Sequence, residues 1–248
     1  MLGLGNSASK GAIVSGLQLV TNTKSIAFDG SNDYIALGSA TDIAGDWTVS
    51  SWMKPSVVNY RAILGSKANA RTVISLSGAD NLRVFLVKEG VDNANWSASW
   101  DAGFADWDTS DWSHLVITKT GTTLTPYLNG VAGTTGTLNG SGGRLNVQMI
   151  GGIDADGTLA YKFQGNIDEV AIWDKLLTAD EVSAIYNSGT ANVKLTVSSG
   201  NYSSSGNLEH WWRMGDGDTF ATITDNSTNS NNGTMTDMDS GDIETEVP

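Results

Sequence analysis

Residues 163–189, FQGNIDEVAIWDKLLTADEVSAIYNSG, constrain the fold more than any other stretch, because a strand and a short capped helix can both be read in them. Phe163, Gly165, Ile167, Glu169, Ala171 and Trp173 alternate with Gln164, Asn166, Asp168, Val170 and Ile172, the two-residue period of a strand with two distinct faces. Thr178 has Glu181 three residues on, which is a capping box. Val182, Ile185 and Tyr186 then form an apolar stripe at helical spacing, and Gly189 supplies a left-handed stop. Upstream, strand patterns at 25–29, 33–37, 46–54, 61–66, 71–77, 81–88, 112–119, 123–129, 145–151 and 163–173 are separated by Gly, Asn, Asp and Ser turns. That spacing predicts a β-sandwich. Asn129-Gly130 is the clearest hairpin turn, because a type I′ turn needs positive φ at both central residues. LRVFLV (Leu82 to Val87) is apolar on both faces and predicts a strand buried between layers.

At 248 residues the chain fits one large sandwich plus an appendage. Hydrophobic residues make up 40% of it, yet no apolar run approaches the roughly 20 residues that span a bilayer, so membrane insertion is not expected. The start, MLGLGNSASKG, has its first cation only at Lys10 and does not read as a signal peptide. There is no cysteine, so stability must come from packing, with or without metal ions. A formal net charge of −13 argues against nucleic acid or an anionic membrane as partner.

Three further stretches extend the pattern. SIAFDGSNDYIAL (Ser25 to Leu37), DWTVSSWMKP (Asp46 to Pro55) and DWSHLVITKTGTTLTPYLNG (Asp111 to Gly130), followed by 163–189, resemble in order the opening strand, second core strand, central hairpin and closing strand-helix of laminin-G-like domains in the concanavalin A-like lectin and glucanase superfamily. The resemblance implies an all-β, concanavalin A-like sandwich (jelly roll) with one short helix near its end. The expected organisation is an N-terminal arm at 1–24, the sandwich at 25–189, a linker at 190–207 and a C-terminal acidic segment at 208–248. From Ser188 onward there are nine acidic residues against two basic ones, but LEHWWRMGDGDTFATITDNSTNSNNGTM is not a random tail, since Trp211, Trp212 and Met214 can build a buried strand. In the family a similar stretch usually precedes the FDGSNDY-like strand; here it follows. It completes the sandwich in cis, completes a neighbouring subunit, or stands apart.

Catalytic patterns are sparse. Sandwich glycanases need two carboxylates flanking a glycosidic bond, commonly as Glu-x-Asp-x-Glu on one strand, and no such strand is present. Asp168 and Glu169 are adjacent and predicted to point to opposite faces. His114 and His210 are the two imidazoles and both read as packed residues. The chain is therefore expected to be no enzyme. Asp154-Ala155-Asp156-Gly157 and Asp216-Gly217-Asp218 imitate the start of a calcium loop but lack the remaining ligands and read as turns. The resemblance implies a structural calcium joining Asp168 to Asp29, the Gly30 carbonyl and Asp33; the alternative is that Asp29 and Asp33 only shape an Asx turn.

Carbohydrate recognition relies on aromatic rings that stack on sugar faces. Trp47, Trp52, Trp112 and Trp173 sit in strand patterns and are assigned to packing. Trp96, Trp100 and Trp107 lie in NANWSASWDAGFADWDTSDW, which is either a glycan-binding loop, with Tyr60 and Arg71 as neighbours, or a hairpin whose tryptophans cap the sandwich edge. The opening MLGLGNSASKG, the FDGSNDYI strand and HWWRMGDG…NNGTM together also resemble structural proteins of marine tailed bacteriophages. This implies a lectin-like module on a virion surface, a capsid decoration or fibre component, with copies of itself, other virion proteins and cell-surface glycans as partners. An extracellular or cell-surface bacterial adhesin and a divergent glycanase are the alternatives.

Overall fold

The computed structural model describes residues 16–67, 72–77, 81–88, 98–103, 108–138 and 143–248. Two antiparallel sheets face each other. The first runs in the order β10 (Val131–Ala132), β9 (Thr123–Leu128), β8 (Ser113–Thr120), β3 (Trp47–Pro55), β15 (Gln164–Trp173), β1 (Ser25–Asp29), β19 (Ile243–Glu244), with β11 (Gly136–Thr137) also on β9 and β16 (Leu208–Trp212) also on β15. The second runs β17 (Thr222–Ile223), β18 (Gly233–Thr236), β2 (Tyr34–Ile43), β12 (Gly143–Ile150), β4 (Arg61–Gly65), β5 (Val73–Leu76), β6 (Asn81–Lys88), β7 (Ala98–Gly103). A small ribbon pairs β13 (Ile153–Ala155) with β14 (Thr158–Ala160).

The predicted strands appear where the alternation places them, and the structure adds the short strands β10, β11, β13 and β14 to them. β2 continues past Leu37 to Ile43, and part of the tryptophan-rich stretch forms β7, an edge strand beside β6. In β6, Leu82, Val84 and Leu86 enter the core between the sheets, while Arg83 between them lies on the outer side. Asn129 (φ 51°) and Gly130 (φ 76°) make the two-residue turn that brings Val131 opposite Leu128.

Two apolar cores result. One lies between the sheets and includes Trp47, Ile167, Val170 and Trp212. The other covers the outer face of the first sheet, where Ala171 and Trp173 meet Val182 and Ile185 of the helix α1 (Ala179–Tyr186). Thr178 caps that helix reciprocally with Glu181 as predicted, but the left-handed stop is taken first by Asn187 (φ 45°) rather than by Gly189. Burial works against ionisation of Glu181, yet hydrogen bonds from Ser204, Thr178 and Ser203 outweigh it and hold the carboxyl down at about 2.

β15 does not alternate strictly. Its register against β3 shifts between Asp168 and Ala171, and Glu169 has φ 46°. The inserted residue reverses the faces of the strand, so Ile167 and Val170 both enter the inner core while Ala171 and Trp173 enter the outer one. Asp168 and Glu169 consequently lie together on the outer side of the sheet, not on opposite faces.

The chain beyond Gly189 packs on the same domain. Residues 190–207, expected as a linker, place Val193, Leu195 and Tyr202 in the outer core. β16 pairs with the end of β15 in line with β1, β19 pairs with β1, and β18 pairs with β2, so this segment extends both sheets. The Asn-rich stretch has a local logic. Asp225 accepts hydrogen bonds from the backbone of Trp211 (3.0 Å), Ser227 (2.9 Å) and Asn231 (2.9 Å) and contacts His210 Nδ1 at 2.8 Å. Asn231 in turn clasps the backbone of Ser39 through both side-chain atoms and accepts from Trp212 Nε1 through its carbonyl. Polar residues here replace the ladder hydrogen bonds that an irregular segment lacks.

Candidate functional site

The outer face of the second sheet carries the most exposed organised aromatic pair among the described residues. Register fixes its floor, since Ala62 lies opposite Ser75, Ser75 opposite Arg83, and Arg83 opposite Asp101, one row across β4, β5, β6 and β7. Tyr60 stands at the start of β4, 45% exposed, with its ring 5.9 Å from that of Tyr161 and tilted 44° to it. The Arg83 guanidinium lies 5.5 Å from the Tyr60 ring centre.

Local structure holds both rings. Tyr60 (φ 51°) and Tyr161 (φ 49°) occupy the left-handed region, unusual for bulky side chains and sustained only where neighbours over-determine the backbone. For Tyr161 those neighbours are visible. Its carbonyl accepts from Ala62 N at 2.6 Å, the following Lys162 carbonyl accepts from Arg61 Nη1 at 2.7 Å, and its ring packs on Ala62, Val73 and Ile153. The β13–β14 ribbon that delivers Tyr161 turns at Asp156-Gly157, with Asp154 Oδ1 accepting from Gly157 N at 2.6 Å. This DADG stretch is thus the turn its sequence suggested.

Of the residues expected to bind glycan, Tyr60 is on this face, and Trp100 lies in β7 at the register position opposite Val84, next to the row just described. Trp96, Trp107 and Arg71 lie outside the described residues. Tyr161 and Arg83 were missed by sequence reading. Tyr161 follows directly on a ribbon closed by Asp-Gly, and Arg83 is the charged interruption of an apolar strand; both are signals of a residue turned out of the core. Trp47, Trp52 and Trp173 are buried as expected, and Trp112 is half-buried.

The acidic residues considered for calcium do not share one coordination sphere. Asp29 Oδ1 accepts from the backbone of Ser31 (2.6 Å) and Asn32 (3.4 Å), and Asp33 Oδ2 accepts from Asp29 N (2.8 Å), which is the Asx-turn arrangement. Gly30 sits between them at φ 77°, where an added Cβ would meet the Gln164 side chain at 2.9 Å. Asp29 is opposite Gln164, and Asp168 lies four positions further along β15, about 13 Å at the usual strand rise. Asp168 instead accepts from Asn22 Nδ2 (2.7 Å) and Glu169 N (2.7 Å). No group of three or more His, Asp or Glu side chains gathers as a cation cage among the described residues.

Two other polar groupings are largely buried. Ser50 Oγ lies 2.8 Å from His114 Nε2, and both line, with Glu169, a cavity of ≈ 20 Å³ that admits about one water. Burial lowers His114 to about 3, so its ring, stacked on Trp52 at 4.7 Å, stays neutral. Glu169 accepts from Trp211 Nε1 and from Arg213 Nε (3.1 Å); burial raises its carboxyl to about 7 despite the arginine. Burial, and then the Glu169 charge, raise Asp168 well above the ordinary carboxylate range.

Residues 29–183 match the family described as the concanavalin A-like lectin/glucanases superfamily, of laminin G type. Comparison with curated proteins gives no match. Among solved structures, a Bacteroides ovatus protein proposed to bind carbohydrate superposes with a TM-score of 0.62 at 18% identity over 91% of this chain, which spans 60% of that protein's length. A heptameric SAP-like pentraxin from Limulus polyphemus gives 0.47 at 18% identity over 66% of this chain and 82% of its own. The CBM40 module of a Ruminococcus gnavus IT-sialidase, solved with α2,3-sialyllactose, gives 0.46 at 17% identity over 68% and 96%. The family match covers well over half of the residues, and the two facing antiparallel sheets with one capped helix are the architecture it describes. The chain belongs to the concanavalin A-like lectin/glucanases superfamily.

Proposed function

We propose that this protein is a lectin-like binding module that holds glycan across the outer face of its second sheet without cleaving it. The observation that carries this reading is the Tyr60–Tyr161 pair, two rings 5.9 Å apart, Tyr60 45% exposed and Tyr161 half-buried, with the Arg83 guanidinium against the Tyr60 ring. Such rings offer an apolar surface to the C–H face of a pyranose, and guanidinium donors fix the hydroxyls. The proposed carbohydrate binding of the Bacteroides ovatus protein of like fold supports the same class of ligand. Burial of Asp168 and Glu169, beneath Trp211 and Arg213, supports binding without hydrolysis, because a polysaccharide needs both carboxylates at its scissile bond. A virion-surface setting, with copies of itself or other virion proteins as partners, is part of the proposal and is supported by the resemblance of residues 1–11, 28–35 and 210–235 to phage structural proteins. The structural calcium that the family resemblance implies would have to be held otherwise than by Asp29, Asp33 and Asp168 together, which do not share one coordination sphere, and only the chelator arm of the test below bears on it.

The test is a glycan array on the full chain with calcium and with chelator, repeated with Tyr60→Ala and Tyr161→Ala. Wild-type binding to a defined glycan, weakened about tenfold or more by either substitution, is expected from the loss of one stacking ring. Binding unchanged in both variants, or no binding by a folded wild type, overturns the assignment. Loss of binding or of thermal stability in chelator alone supports the calcium.

A further inference from the structure

A small cavity lies on the outer face of the first sheet, on the other sheet from the tyrosine pair, and its wall is assembled from distant parts of the chain. β3 supplies Ser50, β8 supplies His114, β15 supplies Glu169, and the segment after the helix closes it with Val193 and Leu195. Glu169 reaches it because the bulge in β15 turns that side chain to the outer side. Ser50, His114 and Glu169 are 3%, 1% and 6% exposed, and the volume of ≈ 20 Å³ admits about one water and nothing larger.

Hydrogen-bond accounting decides whether that volume is dry. Burial keeps the His114 ring neutral, so it carries one N–H and one bare nitrogen. Nδ1 is buried with no partner, whereas Nε2 lies 2.8 Å from Ser50 Oγ. An orphaned buried N–H is the rarer defect, which puts the proton on Nε2, the nitrogen that has an acceptor. Nε2 then donates to Ser50 Oγ, and the Ser50 hydroxyl proton needs an acceptor of its own, which no other protein atom supplies among the described residues. Glu169 has acceptor capacity to spare. Its two oxygens take one hydrogen bond each, from Trp211 Nε1 and Arg213 Nε, and each keeps a second lone pair. A donor and an acceptor thus face the same one-water volume from two walls. Cavities that stay empty are apolar, and this one is not.

We infer that the cavity is a binding site for one ordered water, which accepts the Ser50 hydroxyl proton and donates to Glu169, so that His114 Nε2, Ser50 Oγ, the water and the Glu169 carboxylate form a single chain of hydrogen bonds. The chain ties β8 and β3 to the bulge of β15 and fixes the tautomer of His114, and Asn192 at the rim offers the water a further polar partner. The site is independent of the glycan face around Tyr60. It exists only when the segment after Gly189 is docked, because Val193 and Leu195 close it.

The test is a crystal structure of the full chain at a resolution that shows individual waters, with NMR of the same protein at pH 8. An ordered water should lie within about 3.2 Å of both Ser50 Oγ and a Glu169 oxygen. The carbon-bound ring protons of His114 should correlate with a protonated, pyrrole-type Nε2 and a bare, pyridine-type Nδ1. Ser50→Val fills the volume with methyl groups and removes the donor, so the water should be lost from the crystal structure of that variant. Both wild-type measurements stand whether or not the variant folds. No water at that position in the wild type, a His114 protonated at Nδ1, or a Ser50→Val structure that still holds the water overturns the inference.

Discussion

Replacing Glu169 by Gln isolates the energetic consequence of the bulge in β15. The bulge sets Asp168 and Glu169 side by side, Asp168 fully buried and Glu169 6% exposed, facing Trp211, Arg213, Asn22 and Asp216. Burial dominates, and it raises the Glu169 carboxyl from 4.5 to about 7 in the folded protein. A carboxyl that holds its proton more tightly when folded contributes stability that is fully present below the unfolded value and is lost as pH rises through the folded one. The window for Glu169 is thus pH 4.5 to about 7. At about 1.4 kcal/mol per pH unit, the loss across it is on the order of 3 kcal/mol. Asp168 and Asp33 are raised as well, Asp33 to about 6, and steepen the wild-type slope in the same direction. Glu181 and Asp225, held down at about 2, act oppositely: their stabilisation is complete above the ordinary carboxylate values and is lost as pH falls toward 2. Stability should therefore peak at roughly pH 5. Urea unfolding from pH 4 to 8, read by tryptophan fluorescence, measures it for both proteins. Glu169→Gln costs about 1–3 kcal/mol at low pH, where a neutral amide serves two donors less well than a carboxyl, but its curve should be flatter between pH 4.5 and 7. Parallel curves, or wild-type stability that climbs through this window, refute the reasoning.

Truncation after Gly189 should abolish folding. It removes Val193, Leu195, Tyr202, Leu208, Trp211, Trp212, Met214, Ile223 and Met235 from the two cores, at about 1.5–3 kcal/mol for each large apolar side chain, against a whole-domain stability of roughly 5–15 kcal/mol. Circular dichroism and gel filtration check it, and a cooperatively folding fragment of unchanged oligomeric state would show the segment to be an appendage. For the proposed virion setting, mass spectrometry of purified particles should find the protein in many copies, and its absence from particles would end that reading.

Much of the domain is written in short-range chemistry. Strand positions follow from two-residue alternation, the helix start from Thr178 and Glu181, the β9–β10 turn from Asn129-Gly130 and the ribbon turn from Asp156-Gly157, each decided by residues within a few positions of one another. Alternation could not reveal the bulge at Glu169, because the extra residue is defined by pairing with β3 more than a hundred positions away. The same holds for the candidate sites. Tyr60, Arg83 and Tyr161 are distant in sequence and meet because the register of β4 to β6 and the docking of the ribbon bring them to one face. Local propensity selected the elements of this protein, whereas the meeting of residues far apart in the chain was left to the packing of two cores, whose burial energy depends on the whole assembly.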